Sequence, residues 1–231
     1  AHGTSTAALL VARDYGVAPD ATLHAYRTDA GDAALGSDCI GSDGVNLAGY
    51  PSLINHAIND GAQIITLSLS SSDHSDALRW AIARAMSQGV LITASAGNEA
   101  KDSNESHFGW WSGVVGVAAV DTNGARASYS SWGQGVTTAA VGGPITIRQY
   151  PANTLVQSVG TSSSAPIVAG FLALARQKWP DATSNQLLQL LVHTTVNPDG
   201  GWNQYTGYGV ASPATMMNTD PSQYPDVNPL A

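Results

Sequence analysis

Apolar residues recur along this chain in two alternating rhythms. From Pro51 to Asp60, Leu53, Ile54, Ala57 and Ile58 fall three and four apart, and Gly61 follows as a stop. From Asp76 to Gln88 the same spacing returns in Leu78, Ala81, Ile82, Ala85 and Met86, with Gly89 beyond. The apolar runs in Gln63–Leu69, Val90–Ala94 and Gly113–Val120 are too short for helices and read as buried strands. Strand and helix therefore alternate. That pattern predicts an α/β fold, a mostly parallel central sheet with helices on both faces.

The ends of the chain extend this reading. Gly3 to Ala12 reads as a helix and Ala21 to Tyr26 as a strand. Asp29 to Gly49 is polar and Gly-rich, a long surface loop. Val136–Val141, Ile145–Tyr150 and Thr154–Val159 read as short strands around turns, with a hairpin among them. A helix from Ser163 to about Lys178 is stopped by Pro180, and another covers Ser184 to His193. Ser212-Pro213 opens a last helix. From Thr219 the chain carries three prolines and no periodicity, which predicts a disordered end or linker. The expected organisation is one domain over residues 1–218 and a Pro-rich tail over 219–231.

Composition narrows the function classes. The 231 residues suffice for one sizeable core. Charged residues make up only 11%, so Ser, Thr, Asn and Gly carry the surface. The net charge of −8 argues against nucleic acid or an anionic membrane as partner. No apolar run approaches a membrane span. Cys39 is the only cysteine, so no internal disulfide forms. It lies in a polar loop without a basic neighbour to stabilise a thiolate.

Three short motifs carry chemistry. Gly160-Thr161-Ser162-Ser163-Ser164-Ala165-Pro166 runs into Ile167-Val168-Ala169, which places a serine on a small-residue turn at a helix mouth. The free N–H groups of a helix start face any developing negative charge. His2-Gly3-Thr4 opens a helix, and Ala94-Ser95-Ala96-Gly97-Asn98 ends a strand with an amide in the following loop. A hydroxyl, an imidazole and an amide donor are the parts of an acyl-transfer site. Each motif alone has a bland reading: a capping serine, a terminal histidine, a turn asparagine. Their co-occurrence is what gives them weight.

In these motifs, and in their order and spacing, the chain resembles the subtilisin-like serine peptidases. The resemblance extends through Gly16-Val17-Ala18-Pro19, Ile64–Leu69 and Val117-Ala118-Ala119-Val120-Asp121, up to about Ala214. It implies a three-layer fold and hydrolysis of peptide bonds by Ser162, with His2 as general base and Asn98 as oxyanion donor. The family's proline lies four residues after its nucleophile, so Pro166 selects Ser162 among the three serines. The resemblance also implies an extended peptide or protein substrate. Leu67, Ser68, Leu69 and Ser70 would flank its main pocket with Ala96 and Gly97, and residues near Val45 to Tyr50 would form the other rim. His107 to Trp111 replaces a Tyr-Pro segment of the family, with aromatics for the pocket floor or the core.

Two departures stand out. The family's third triad member, an aspartate, belongs upstream of the histidine, and only Ala1 precedes His2. The expectation is that its strand, and any pro-region, is missing from this sequence and that these residues alone are close to inactive. Many relatives carry a calcium loop within the helix after the histidine. Ala7 to Gly16 is too short to hold one, so no cofactor is expected at that place, although calcium elsewhere stays open. Secretion follows from the resemblance alone. Two other functions compete: a non-catalytic peptide-binding relative, and a maturation protease dedicated to one partner peptide.

Overall fold

The computed structural model describes residues 2–26, 49–103, 105–149, 153–197 and 200–231. Four parallel strands form the central sheet in the order β1 (Ile64–Leu67), β2 (Leu91–Ser95), β3 (Val114–Val120) and β4 (Thr138–Val141). Ile64 pairs with Leu91, Ile92 with Val114, and Val117 with Thr138. Every residue of β2 and β3 is buried, as befits strands covered on both faces.

The strand period of two divides their side chains between two cores. Leu91, Val115 and Val117 face α4 (Thr161–Lys178) and α5 (Ser184–His193), packing with Val168, Leu172, Leu187 and Leu190. Ile92, Ala94 and Val114 face α2 (Tyr50–Asn59) and α3 (Asp76–Ser87), packing with Ile54, Leu78 and Ile82. The expected three-layer α/β architecture is therefore present. An antiparallel hairpin, β5 (Ile145–Gln149) with β6 (Thr154–Ser158), leads into α4, also as expected. The first helix, α1 (His2–Val11), leans on α4. A Cβ at Gly170 would collide with Val17 and crowd Leu10, so the glycine permits that approach.

Two expectations fail. Ala21 to Tyr26 joins no strand ladder among the described residues, and residues 21–25 are exposed. A strand needs a neighbour to take its N–H and C=O groups, and among the described residues this segment has none. The outer edge of β1 is equally unclaimed among the described residues, since β1 pairs only with β2. The loop expected from Asp29 onward lies outside the described residues as far as residue 48, and Cys39 with it.

The tail is the second failure. Instead of disorder, it runs through a 3-10 turn at Pro221–Gln223 and across α5. Gln186 and Gln189 donate their amides to the carbonyls of Tyr224 and Val227, at 3.2 and 2.8 Å. The Leu230 carbonyl accepts from the Gly113 N–H at 2.9 Å, and Leu230 packs on the α4–α5 core. Asp226 accepts from the Thr183 hydroxyl at 2.6 Å and the Asn185 amide at 2.9 Å. Those two bonds hold its carboxyl below the usual aspartate range. A lowered carboxylate pKa stabilises the fold above the unfolded value of about 3.9, and that contribution fades as pH falls through the lowered pKa. Asp226→Asn is therefore expected to lower Tm at neutral pH, with the gap to wild type closing below about pH 4. Parallel melts of both proteins from pH 7 to pH 3 check this.

Candidate active site

The N-terminal end of α4 lies beneath the C-terminal ends of the sheet strands, and four hydrogen bonds set it there. Gly160 turns the chain into the helix with φ of 147°, a conformation that side chains resist. Its N–H bonds the Gly142 carbonyl at 2.7 Å. Thr93 donates its hydroxyl to the Ala165 carbonyl at 3.3 Å, and Ser164 donates its own to the Ala140 carbonyl at 3.1 Å. Ser68, just past β1, donates its hydroxyl to the Ser162 carbonyl at 3.0 Å.

That last bond has a specific cause. Pro166 sits inside α4 and has no N–H, so the carbonyl four residues back, on Ser162, loses its helical partner. The Ser68 hydroxyl takes its place. Ser68→Ala would leave this carbonyl unsatisfied. It is expected to cost about 1–3 kcal/mol of stability and, by loosening the turn, to lower kcat more than it raises KM. Melts and steady-state kinetics read the two effects. Among the residues expected to line the substrate pocket, Ser68 thus spends its hydroxyl on the helix.

The three adjacent serines separate clearly. Ser163 is buried with its hydroxyl 3.0 Å from that of Ser158, and Ser164 is buried on Ala140. Ser162 alone of the three is half-exposed, and among the described residues its hydroxyl has no hydrogen-bond partner. The Thr161 N–H goes to Asn98 and the Ser163 N–H to Gly160, which leaves the Ser162 N–H between them unclaimed.

Asn98 stands across from this turn. Its side chain accepts from the Thr161 N–H at 2.8 Å and from the Thr161 hydroxyl at 2.9 Å. A backbone N–H can only donate, so the accepting atom is the amide oxygen and the orientation of the amide is settled. Its NH2 group therefore points away from Thr161 and is open to solvent. Thr161 Oγ1 also accepts from the Gly97 N–H at 3.2 Å. Thr161 was not among the residues singled out in the sequence, yet it fixes the amide; its place beside Ser162 was the available signal. The Asn98 amide and the Ser162 N–H together offer two donors at a helix start, the arrangement that stabilises an oxyanion.

His2 is less well placed. It begins α1 and is exposed, and it makes no hydrogen bond to Ser162. The structure brings together Ser162, Asn98 and Ser68, and leaves the imidazole outside that network. A different histidine–carboxylate pair exists, His56 Nε2 with Asp60 Oδ2 at 3.4 Å. Asp60 also accepts from the Tyr26 hydroxyl at 2.5 Å, and burial together with that bond pushes the phenol up to about 12. This cluster precedes β1, whereas Ser68 and Ser162 lie past its far end, so it does not serve Ser162.

The other expected pocket residues divide between the core and the segment around His107. Ser70 forms an antiparallel bridge with His107, and the Ser71 N–H bonds the Ser106 carbonyl at 2.7 Å. Leu67 packs into the α2–α3 core, and Ala96 lines a small cavity with His107, Trp110 and Trp132. Phe108 is buried in the core and forms an edge contact with Tyr50 at 4.8 Å. The rim residues 45–48 lie outside the described residues. Among the described residues no three acidic, histidine or cysteine side chains converge to hold a metal, and no helix is long and apolar enough to cross a membrane.

The helix mouth thus sets a half-exposed serine across from an amide clamped by a threonine, on a parallel sheet covered by helices on both faces. Residues 1–209 fit the model of the subtilase family, Peptidase_S8, and the chain belongs to that family. It is 36% identical over 198 residues to a thermostable alkaline protease of Halalkalibacterium halodurans, covering 84% of this chain and 52% of that protein. It is 32% identical to subtilisin DY of Bacillus licheniformis, covering 85% of this chain and 70% of that one. Among solved structures, MycP1 from Mycobacterium smegmatis superposes with a TM-score of 0.79 at 27% identity, over all of this chain and 72% of that one. The chain thus spans about half the length of the first of these relatives.

Proposed function

We propose that this chain carries the nucleophile and oxyanion site of a serine endopeptidase. Ser162 attacks the scissile carbonyl, and His2 takes its proton and returns it to the leaving amine. The carbonyl oxygen, as it becomes an oxyanion, receives hydrogen bonds from the Asn98 amide and the Ser162 N–H. The observation that carries this reading is the pair of unclaimed donors beside the one free hydroxyl of the serine run. Membership of the subtilase family and the protease names of its relatives support it.

The site needs a carboxylate to hold the imidazole in one tautomer and to stabilise its charged form. Among the described residues, neither the outer edge of β1 nor Ala21–Tyr26 has a strand partner, which supports one further strand beside β1. We infer that this strand brings the acid and draws His2 toward Ser162. The catalytic reading is tested by a fluorophosphonate probe on the complete protein. Labelling is expected at Ser162, together with peptide hydrolysis. Labelling at Ser163 or Ser164, or none, overturns it.

A further inference from the structure

The two halves of the oxyanion site are both held by one three-residue stretch, Tyr129 to Ser131. Ser130 anchors that stretch to the sheet. Its buried hydroxyl accepts from the Ala119 N–H of β3 at 3.0 Å and donates to the Ser131 carbonyl at 3.2 Å. From this anchor the backbone grips the Asn98 loop on both sides of the amide. The Ser131 N–H bonds the Gly97 carbonyl at 3.0 Å, and the Tyr129 carbonyl accepts from the Ala100 N–H at 2.9 Å. Ala100 has φ of 51°, in the left-handed region that side chains resist, so its surroundings must hold it there.

The Tyr129 side chain reaches the other half. Its hydroxyl donates to the Gly142 carbonyl at 3.0 Å, and the same carbonyl accepts from the Gly160 N–H at 2.7 Å. Gly160 begins the turn that presents Ser162. A Cβ at Gly142 would lie 2.7 Å from the Tyr129 hydroxyl oxygen, so the glycine gives the phenol access. Burial pushes that phenol above its ordinary range, against the pull of the Gly160 backbone. The hydroxyl therefore stays protonated, and a donor, at neutral pH. With the Thr161 N–H on the Asn98 amide oxygen, these bonds form a closed ring. It runs from Asn98 through Thr161 and Gly160 to Gly142, then through Tyr129 back to Ala100 and Asn98.

We propose that Tyr129 is a positioning residue that closes this ring and so fixes the Asn98 amide and the Ser162 N–H at one separation. This rests on the peptidase reading of Ser162 and Asn98 and adds the group that keeps their donors aligned. Thr161 alone is a single point of attachment, about which the Gly160 turn can pivot. The Tyr129 hydroxyl ties the far side of that turn, through Gly142, to the stretch that holds the Asn98 loop. Two attachments fix an orientation that one leaves loose. An oxyanion needs both donors within hydrogen-bond reach at once, so a small pivot weakens catalysis more than it weakens substrate binding.

The test compares Tyr129→Phe with the unchanged complete protein. The substitution keeps the ring and removes one oxygen. It is expected to lower kcat about tenfold and to leave KM within about twofold. Affinity for a peptide boronate, whose tetrahedral adduct carries the negative charge, should fall by the same factor as kcat. In the Asn98→Ala background Tyr129→Phe should cost little more, because no pair of donors is left to align. An unchanged kcat overturns the proposal, whatever happens to Tm, and so do losses that multiply in the double variant. Should Tyr129→Phe fail to fold, difluorotyrosine at position 129 keeps the ring and ionises at lower pH. Its kcat should then fall at a pH where that of the unchanged protein holds, and superimposable profiles overturn the proposal. Failure of the peptidase reading shows separately, as absent fluorophosphonate labelling of the unchanged protein.

Discussion

Ser162→Ala in the complete protein is expected to lower kcat by about 10⁶-fold, the scale of losing a catalytic nucleophile. Substrate binding should change little, because the hydroxyl makes no contact that shapes the turn. The neighbouring serines supply the control. Ser163→Ala removes a buried hydroxyl paired with Ser158, and Ser164→Ala one paired with Ala140. Each should cost about 1 kcal/mol of stability and leave kcat within about tenfold. Steady-state kinetics and melts on the three variants check this. A loss of about 10⁶-fold at Ser163 or Ser164 would place the chemistry on a different hydroxyl. Deleting the Asn98 amide as Asn98→Ala should cost a separate factor on the order of 10²–10³ in kcat, as expected of one oxyanion donor.

Adding a strand to the open edge of β1 is the second large effect. An apolar strand ending in an aspartate, supplied as a peptide or in the same chain, is expected to raise kcat by about 10⁴-fold over these 231 residues alone. The melt should sharpen in parallel. A parallel strand beside β1 would take the N–H and C=O groups that no strand claims among the described residues, which an interior sheet does not tolerate bare. The same strand would set a carboxylate against His2. The imidazole then has a fixed tautomer, and the imidazolium formed during acylation faces a negative charge rather than solvent. Replacing the aspartate by asparagine in the added strand should keep the gain in stability and lose the gain in rate. Full activity and a cooperative melt without any addition would show that an acid between Asp29 and Asp43 already does this work.

The helices α2 and α3 and the strands β2 and β3 were legible because their signal is periodic and local. Leu78, Ala81, Ile82 and Ala85 meet the core whatever lies across from them, since a helix of that pattern has only one apolar face. The backbone around the motifs was legible for a similar reason. A small-residue turn before Ser162, and a Gly-Asn turn at Asn98, write their backbone needs into adjacent residues. The family resemblance, through Pro166, pointed to Ser162, whose hydroxyl has no hydrogen-bond partner among the described residues.

Partnership between distant segments could not be read that way. Ala21 to Tyr26 has the composition of a strand, but a strand exists only where another offers a free edge. The tail from Thr219 has no pattern of its own. It is ordered by Gln186, Gln189, Thr183 and Gly113, residues far earlier in the chain that happen to present donors along its path. Ser162, Ser163 and Ser164 have nearly the same local setting. What separates them is which hydroxyl meets Ser158 and which meets Ala140. The clamp of Thr161 on Asn98 spans 63 positions, and the bond by which Ser68 repairs the gap left by Pro166 spans 94. Periodicity and turn chemistry are properties of neighbouring residues. The pairing of buried donors with acceptors is settled only when close packing excludes water and leaves each group one partner within reach.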